Sequence, residues 1–486
     1  MRPGFGSFCL VIWVNDSPRM NSYASAHHQI NEVRDGKNSS RQLVEASLAR
    51  IESLDSSGYQ LNSVLALAPR VLENAEQIDP TLPLAGLPIL IKDNIEAVGL
   101  PGTAGSLALA TYPVVRDSTI VSRLRAAGAN IIGATNLSEW ANIRSTKSTS
   151  GWSGVGGLTA NPWKNVHSAG GSSSGSGAAI SAGLVSLAVG TETDGSIVCP
   201  ASLNGCVGIK PTVGSVPRDG IIPISASQDS PGSMARTVQD SALLLEVMMG
   251  TSGLVNATSD RRSLKIGVVK SWLTTHEGTD ALFDGALTNL SKSGITLVDV
   301  ELSAPDESIG ADELHVLLHE LIDDLASYFS IRCDSKLSSL ADVLRFNNEN
   351  ADTELQYFAH ELLEQALELG GRGIEYGEKR ARNLAWAEKT LALGLDGVDV
   401  LIGATYSPAW VSRLGKGDDF SLSSWITTAP AIAGTPIGCL PMGNTDGLPV
   451  GMGVVSRRND EARLITAMAQ IERSLALGIL EPTFIK

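Results

Sequence analysis

Residues 170–200 read Gly170-Gly171-Ser172-Ser173-Ser174-Gly175-Ser176-Gly177, then an apolar stretch from Ala178 to Val189, then Gly190-Thr191-Glu192-Thr193-Asp194-Gly195-Ser196-Ile197-Val198-Cys199-Pro200. The apolar stretch divides into a helix over Ala178 to Leu184 and a strand over Val185 to Val189. A flexible Gly/Ser linker carries no such runs. The segment is therefore ordered core with tight turns, in which glycine supplies backbone freedom. Loop, helix, strand and turn in succession are the grammar of an α/β fold.

The same grammar extends outward. Upstream, Ile89-Leu90-Ile91 reads as a buried strand, Ser118 to Ala127 as a helix and Asn130 to Gly133 as a further strand. Residues 39 to 54 predict an amphipathic helix, opened by Ser39 with Gln42 at capping-box spacing. Downstream, Val207-Gly208-Ile209 is a strand, a helix runs to about Met249, and strands at Ile266 to Val269 and Ile295 to Val300 bracket a helix at Leu282 to Leu290. Residues 306 to 393 differ: they are acidic and helical throughout, with Leu314, Leu317, Leu318 and Leu321 at helical spacing, and read as an insertion or lid. The α/β pattern resumes at Val398 to Ile402 and Val450 to Val455 and closes in a helix over 460–475. Residues 31–480 are expected to form one domain, preceded by an extension over 1–30.

Composition narrows the function. The chain has 486 residues and a formal charge of -15, a balance that repels phosphate backbones and anionic lipid. Neither nucleic acid nor a membrane is expected as a partner, and no stretch approaches the ~20 apolar residues of a membrane helix. The five cysteines, 9, 199, 206, 333 and 439, contain no CxxC pair, which argues against a disulfide framework and a zinc site and for a cytoplasmic protein. Arg2, the apolar run Phe8 to Val14 and Ala24-Ser25-Ala26 fit a weak secretory signal, although Asn15 and Asp16 interrupt it and Met20 offers another start.

Three places carry chemistry: Lys92-Asp93-Asn94 at the end of a strand, Gly170 to Gly177 before a helix, and Gly190 to Ser196 after a strand. A serine hydroxyl becomes a nucleophile only when a base takes its proton. Lysine can be that base only where burial removes its charge, and Lys92 leaves an apolar strand where such desolvation is expected. Asp93, next in an extended chain, points to the other face. The turn Thr193-Asp194-Gly195-Ser196 offers successive backbone N–H groups suited to an oxyanion.

Together these motifs resemble the amidase-signature family, whose members pair a strand-borne lysine in a "KDN"-like motif with a "GGSS" loop and a "DGSI" or "GGSI" turn. Here they are Lys92-Asp93-Asn94, Gly170-Gly171-Ser172-Ser173 and Asp194-Gly195-Ser196-Ile197, with the two serines at the family spacing. Asn136 to Trp140, Gly208 to Thr212, Met234 to Asp240 and Gly447 to Gly451 also look familial, so the resemblance spans roughly residues 30 to 475. It implies a large mixed central sheet flanked by helices, with a helical insertion. It implies catalysis without metal or cofactor by Ser196 as nucleophile, Ser172 as proton relay after a cis peptide bond and Lys92 as base, the oxyanion being held by the backbone of Thr193, Asp194, Gly195 and Ser196. Many members carry Gly before the Gly-Ser pair and Arg two residues after the nucleophile. Asp194 and Val198 stand there instead. The run is similar to bacterial peptide amidases, implying a peptide or small-molecule amide substrate and a monomer or homodimer. It matches less well the transamidating enzymes that work on glutamyl-tRNA.

Rival readings remain. Gly171-Ser172-Ser173-Ser174-Gly175 satisfies G-x-S-x-G, which would make Ser173 the nucleophile of an α/β-hydrolase. That elbow needs a preceding strand, yet Asn161 to Asn165 reads as a turn. A nucleotide binder using the glycine loop lacks the P-loop lysine. His315 and His319, four apart, lack a third metal ligand and read as a solvated helix face, and His167, close to Ser172, reads as a loop residue, with a contact at the rim of the site as the alternative.

Overall fold

The computed structural model describes residues 21–332 and 336–486. Its strands in chain order are β1 (Val64–Leu67), β2 (Pro88–Lys92), β3 (Asn130–Thr135), β4 (Trp152–Ser153), β5 (Gly157–Leu158), β6 (Leu187–Glu192) and β7 (Val207–Lys210). They continue with β8 (Ser230–Ala235), β9 (Lys265–Val269), β10 (Thr296–Val300), β11 (Val400–Ala404), β12 (Ile437–Thr445) and β13 (Leu448–Val455). Apart from the separate β4–β5 pair, they form one sheet in the order β1-β3-β2-β6-β8-β7-β12-β13-β11-β9-β10. Pairing is parallel at β3–β2–β6 and at β11–β9–β10, and antiparallel elsewhere, so the sheet is mixed as the resemblance implies.

Strand alternation divides the apolar residues between two faces. Ile89 and Ile91 of β2 join the cluster containing Leu244, Leu245 and Met468. Leu90 joins the opposite cluster with Ala178, Ala179 and Ile180, on the helix that follows the glycine–serine loop. Lys92, two residues after Leu90, therefore faces that helix.

Local signals fix the ends of several helices. Ser39 and Gln42 form both bonds of a capping box at the helix Ser40–Arg50, and Ser118 accepts the Val121 N–H at the helix Thr119–Ala126. The secretory-signal segment before residue 21 lies outside the described residues. Part of the expected extension belongs to the body: the helix Ala26–Arg34 is capped by Ser25, and the Ala26 and His27 N–H groups donate to the Asp240 carboxylate at 2.9 and 3.0 Å.

Between residues 307 and 394 the described residues form helices and no strand: Glu307–Ile331, Leu340–Glu349, Ala351–Glu354, Glu361–Leu369 and Ile374–Gly394. A third apolar cluster, including Leu321, Leu325, Val343 and Leu363, packs there against Ala104, Leu109 and Trp140. A buried ion group fastens the same junction. Arg144, fully buried, reaches Glu139 at 2.5 Å and Glu354 at 3.4 Å. One cation serves two carboxylates there, and burial pushes both carboxyl groups above their usual range. The helices are thereby tied to the 137–154 segment, whose Ser138 touches the site described next.

Candidate active site

Lys92 is the last residue of β2 and is completely buried. Its Nζ lies 2.7 Å from Ser172 Oγ, 2.8 Å from Thr191 Oγ1 and 3.2 Å from the Thr191 carbonyl oxygen. Desolvation pulls the amine down to about 7, against the opposing fields of Asp229 and Glu192. Near neutrality the side chain therefore exists in part as a free amine with a lone pair. Asp93 sits on the other face, accepting the Gly102 and Thr103 N–H groups at 2.9 Å each, and is no ion partner of Lys92.

Ser172 lies in the glycine–serine loop, with a cis peptide bond between Gly171 and Ser172. A Cβ at Gly171 would run into Ser138 Oγ and Ser150 Oγ, so only glycine fits. The Ser138 N–H donates to the Ser172 carbonyl at 3.1 Å, and the Ser173 N–H donates to the Ser196 carbonyl at 3.2 Å, which joins the loop to the second serine's turn. The geometry thus brings Lys92 and Ser172 into direct contact and sets Ser196, 8% exposed, on the adjoining turn. Among the described residues no hydrogen bond joins the Ser172 and Ser196 hydroxyls.

Gly195 has φ +73° at the tip of that turn, and a Cβ there would lie 2.5 Å from Tyr406 Oη. After the turn, Glu192 accepts the Ile197 and Val198 N–H groups at 2.6 and 2.9 Å. The N–H groups of Asp194, Gly195 and Ser196 have no acceptor among the described residues. Donors left unpaired beside a serine hydroxyl can receive a developing oxyanion.

The family model described as Amidase matches residues 42–465. This chain belongs to the amidase family. Its reaction is the hydrolysis of carboxylic amide bonds. The amidase is 36% identical to the native peptide amidase of Stenotrophomonas maltophilia, with a TM-score of 0.87 over 95% of this chain and 99% of that one. It is 33% identical to mandelamide hydrolase of Pseudomonas putida over 92% of this chain and 90% of the relative. It is 32% identical to a glutamyl-tRNA(Gln) amidotransferase component of Methanosarcina acetivorans, over 88% of this chain and 93% of the relative.

The rival nucleophile of this amidase is otherwise engaged. Ser173 Oγ donates to the Thr191 carbonyl at 3.0 Å and accepts the Thr191 N–H at 3.1 Å, and no strand runs directly into it. Among the described residues no group of three or more His, Cys, Asp and Glu could hold a metal. The reading of His315 and His319 as a solvated face is corrected for His319, which is buried with Nδ1 2.6 Å from the Gly371 oxygen where the neighbouring turn closes over it. His167 lines a separate 260 Å³ cavity with His276 and Trp410. Sequence reasoning missed Thr191, the second partner of Lys92, and Asn94 as its support, with Asn94 Nδ2 3.0 Å from Thr191 Oγ1. Both stand inside quoted motifs. Their contact follows from the parallel alignment of β2 with β6, in which Ile91 faces Val189, and no single-sequence pattern states that register.

Proposed function

We propose that this amidase works by acyl transfer to Ser196, with Ser172 as relay and Lys92 as base. The observation that carries the reading is the 2.7 Å contact between a buried, partly deprotonated lysine amine and Ser172 Oγ, on a loop bonded to the Ser196 turn. Rotation of Ser196 about its Cα–Cβ bond closes the relay when substrate arrives, since such contacts tighten in the substrate complex. Lys92 takes the Ser172 proton as Ser172 takes that of Ser196. The Ser196 oxygen bonds the carbonyl carbon, and the displaced electron pair moves onto the carbonyl oxygen, held by the N–H groups of Thr193, Asp194, Gly195 and Ser196. On collapse the C–N bond breaks, the proton returns through Ser172 to the leaving nitrogen, and ammonia or an amine departs. Water then repeats the cycle on the acyl-serine.

Similarity to the peptide amidase and to mandelamide hydrolase supports C-terminally amidated peptides and aryl or alkyl amides as substrates. The charge of -15 supports action without nucleic acid; the relay of Ser196, Ser172 and Lys92 calls for no cofactor, and the chain is proposed to act as a monomer or homodimer. Among the described residues no helix is long and apolar enough to cross a membrane, and the free, buried Cys199, Cys206 and Cys439 suit a reducing cytoplasm. Residues 31–480, with the helix Ala26–Arg34 packed on them, serve as one domain, and the 306–393 helices as its insertion or lid.

The test is ammonia release from amidated peptides, aryl anilides, aliphatic amides and carbamates. Turnover of an amide by the chain alone is expected. Turnover confined to glutamyl-tRNA with partner proteins would instead assign the chain to transamidation. Because the base must be neutral, kcat/KM is expected to climb about tenfold per pH unit on the acid side and to level off above about 7. A profile flat from pH 5 to 9, an interval of roughly two units either side, contradicts a lysine base. Gly195→Ala is expected to cost on the order of 10²-fold in kcat, because its methyl collides with Tyr406 and tilts the oxyanion donors. Steady-state kinetics on a variant of confirmed thermal stability check this.

A further inference from the structure

The loop before β8 contacts the nucleophile turn on one side and the helical segment on the other. Thr193 Oγ1 donates to Asp229 Oδ1 at 2.6 Å, while Asp229 Oδ2 accepts the Ile224 and Ser225 N–H groups at 2.8 and 2.9 Å. Three acids of the helix Glu307–Ile331 hold the same loop. Glu320 accepts from Ser225 Oγ at 2.5 Å and the Ser227 N–H at 3.0 Å, Asp324 from the Ala226 N–H at 2.6 Å, and Glu313 from Gln228 Nε2 at 2.8 Å. Asp229 also lines a 330 Å³ cavity together with Asn94, Thr191 and Thr193. One loop thus connects the oxyanion turn with the helical segment, and its Asp229 carboxylate shares a cavity wall with the lysine's partner Thr191.

We infer that Asp229 is a positioning residue of the amidase reaction, holding the oxyanion turn through Thr193 and presenting a negative charge to Lys92 that stabilises the ammonium formed when the base is protonated. This rests on the roles proposed above for Ser196 and Lys92.

The surrounding charges leave Asp229 room to act this way. The fields of two anions, Asp229 and Glu192, act on Lys92. Glu192 accepts the Ile197 and Val198 N–H groups through Oε2 and feels the opposing field of Lys210. Around the cavity, Arg116 pairs with Glu96 at 3.0 Å, Asp219 accepts from Thr119, and Asp324 pairs with Arg372 at 2.7 Å. Besides Lys92, Arg218 presents a cation to Asp229. Burial raises the Asp229 carboxyl to about 6, so it is charged over the upper part of the acidic limb, where Lys92 loses its proton. An anion near Lys92 favours its protonated form, so removing the charge must move that limb to lower pH.

The experiment measures kcat/KM against pH for wild type, Asp229→Asn, Thr193→Val and Ser196→Ala with one neutral amide. Asp229→Asn is expected to shift the acid limb down by roughly half a pH unit or more. Thr193→Val, which keeps the carboxyl but loses the bond that holds its pKa down, should move the limb in the same direction by less than Asp229→Asn does and lower the plateau roughly tenfold at unchanged KM. A merely structural carboxylate would lower activity without moving the limb, so an unmoved limb in folded Asp229→Asn overturns the inference. If that variant does not fold, Thr193→Val decides: a limb moved to lower pH together with the roughly tenfold lower plateau supports the inference, and an unmoved limb overturns it. An inactive wild type, or an active Ser196→Ala, would overturn the proposed mechanism and this inference with it. Loss in Ser196→Ala alone, with the other variants like wild type, removes only the role of Asp229.

Discussion

Ser196→Ala is expected to lower kcat by on the order of 10⁵-fold for every amide the protein accepts, since the variant can form no acyl-serine. The fold should survive. Ser196 Oγ makes no hydrogen bond among the described residues, whereas the Ser196 carbonyl that accepts from Ser173 is kept in the variant. Thermal unfolding should therefore move by only a few degrees while ammonia release disappears. A folded variant with activity near that of wild type would show that another group attacks the carbonyl.

Lys92→Met is expected to cost ~10³-fold or more in kcat and to erase the acid limb near 7. Methionine fills a similar volume and needs no desolvation, so the loss reports the amine rather than the packing. The sign follows from the chemistry: only the neutral amine accepts a proton, so wild-type activity rises as pH climbs through the folded-state pKa. A Lys92→Met enzyme that keeps the limb would place the titrating base elsewhere. Arginine in this position would stay charged and offers no rescue.

Long periodic segments make much of the fold legible in the sequence. The 306–393 helices and the strands around Ile89, Val207 and Ile266 all lie where apolar spacing puts them. What stays hidden is built from residues that resemble loops. Strand β8 contains Pro231, Gly232 and Ser233, poor strand formers by propensity. Its neighbours explain that composition: a Cβ at Gly232 would strike the Ile209 carbonyl, so the close approach of β7 demands glycine there. The partner strand β7 pairs with β8 at Ser233 and beyond, which spares Pro231 from supplying a ladder N–H to it. Strand β12 escapes a reading of the sequence for a related reason, since Gly438 lies against Met468 and a register shift falls between Pro441 and Gly443.

The site divides along the same line. Lys92, Ser172 and Ser196 stand in motifs with local character: a basic residue ending an apolar strand, and serines flanked by glycines. Thr191 and Asp229 act through pairing between strands and through a loop whose direction depends on β8. Such contacts are products of register and long-range folding rather than of neighbouring residues. Gly171 is intermediate: its smallness is legible, while the two hydroxyls that demand it, Ser138 and Ser150, come from a distant loop.

The most direct measurement of the central claim is peptide mapping by mass spectrometry of enzyme quenched in acid during turnover of an activated acyl donor. The acyl mass is expected on the peptide carrying Ser196, absent from Ser196→Ala, and reduced at low pH where Lys92 is protonated. An adduct on Ser172 or Ser173, or one that persists in Ser196→Ala, would contradict the account.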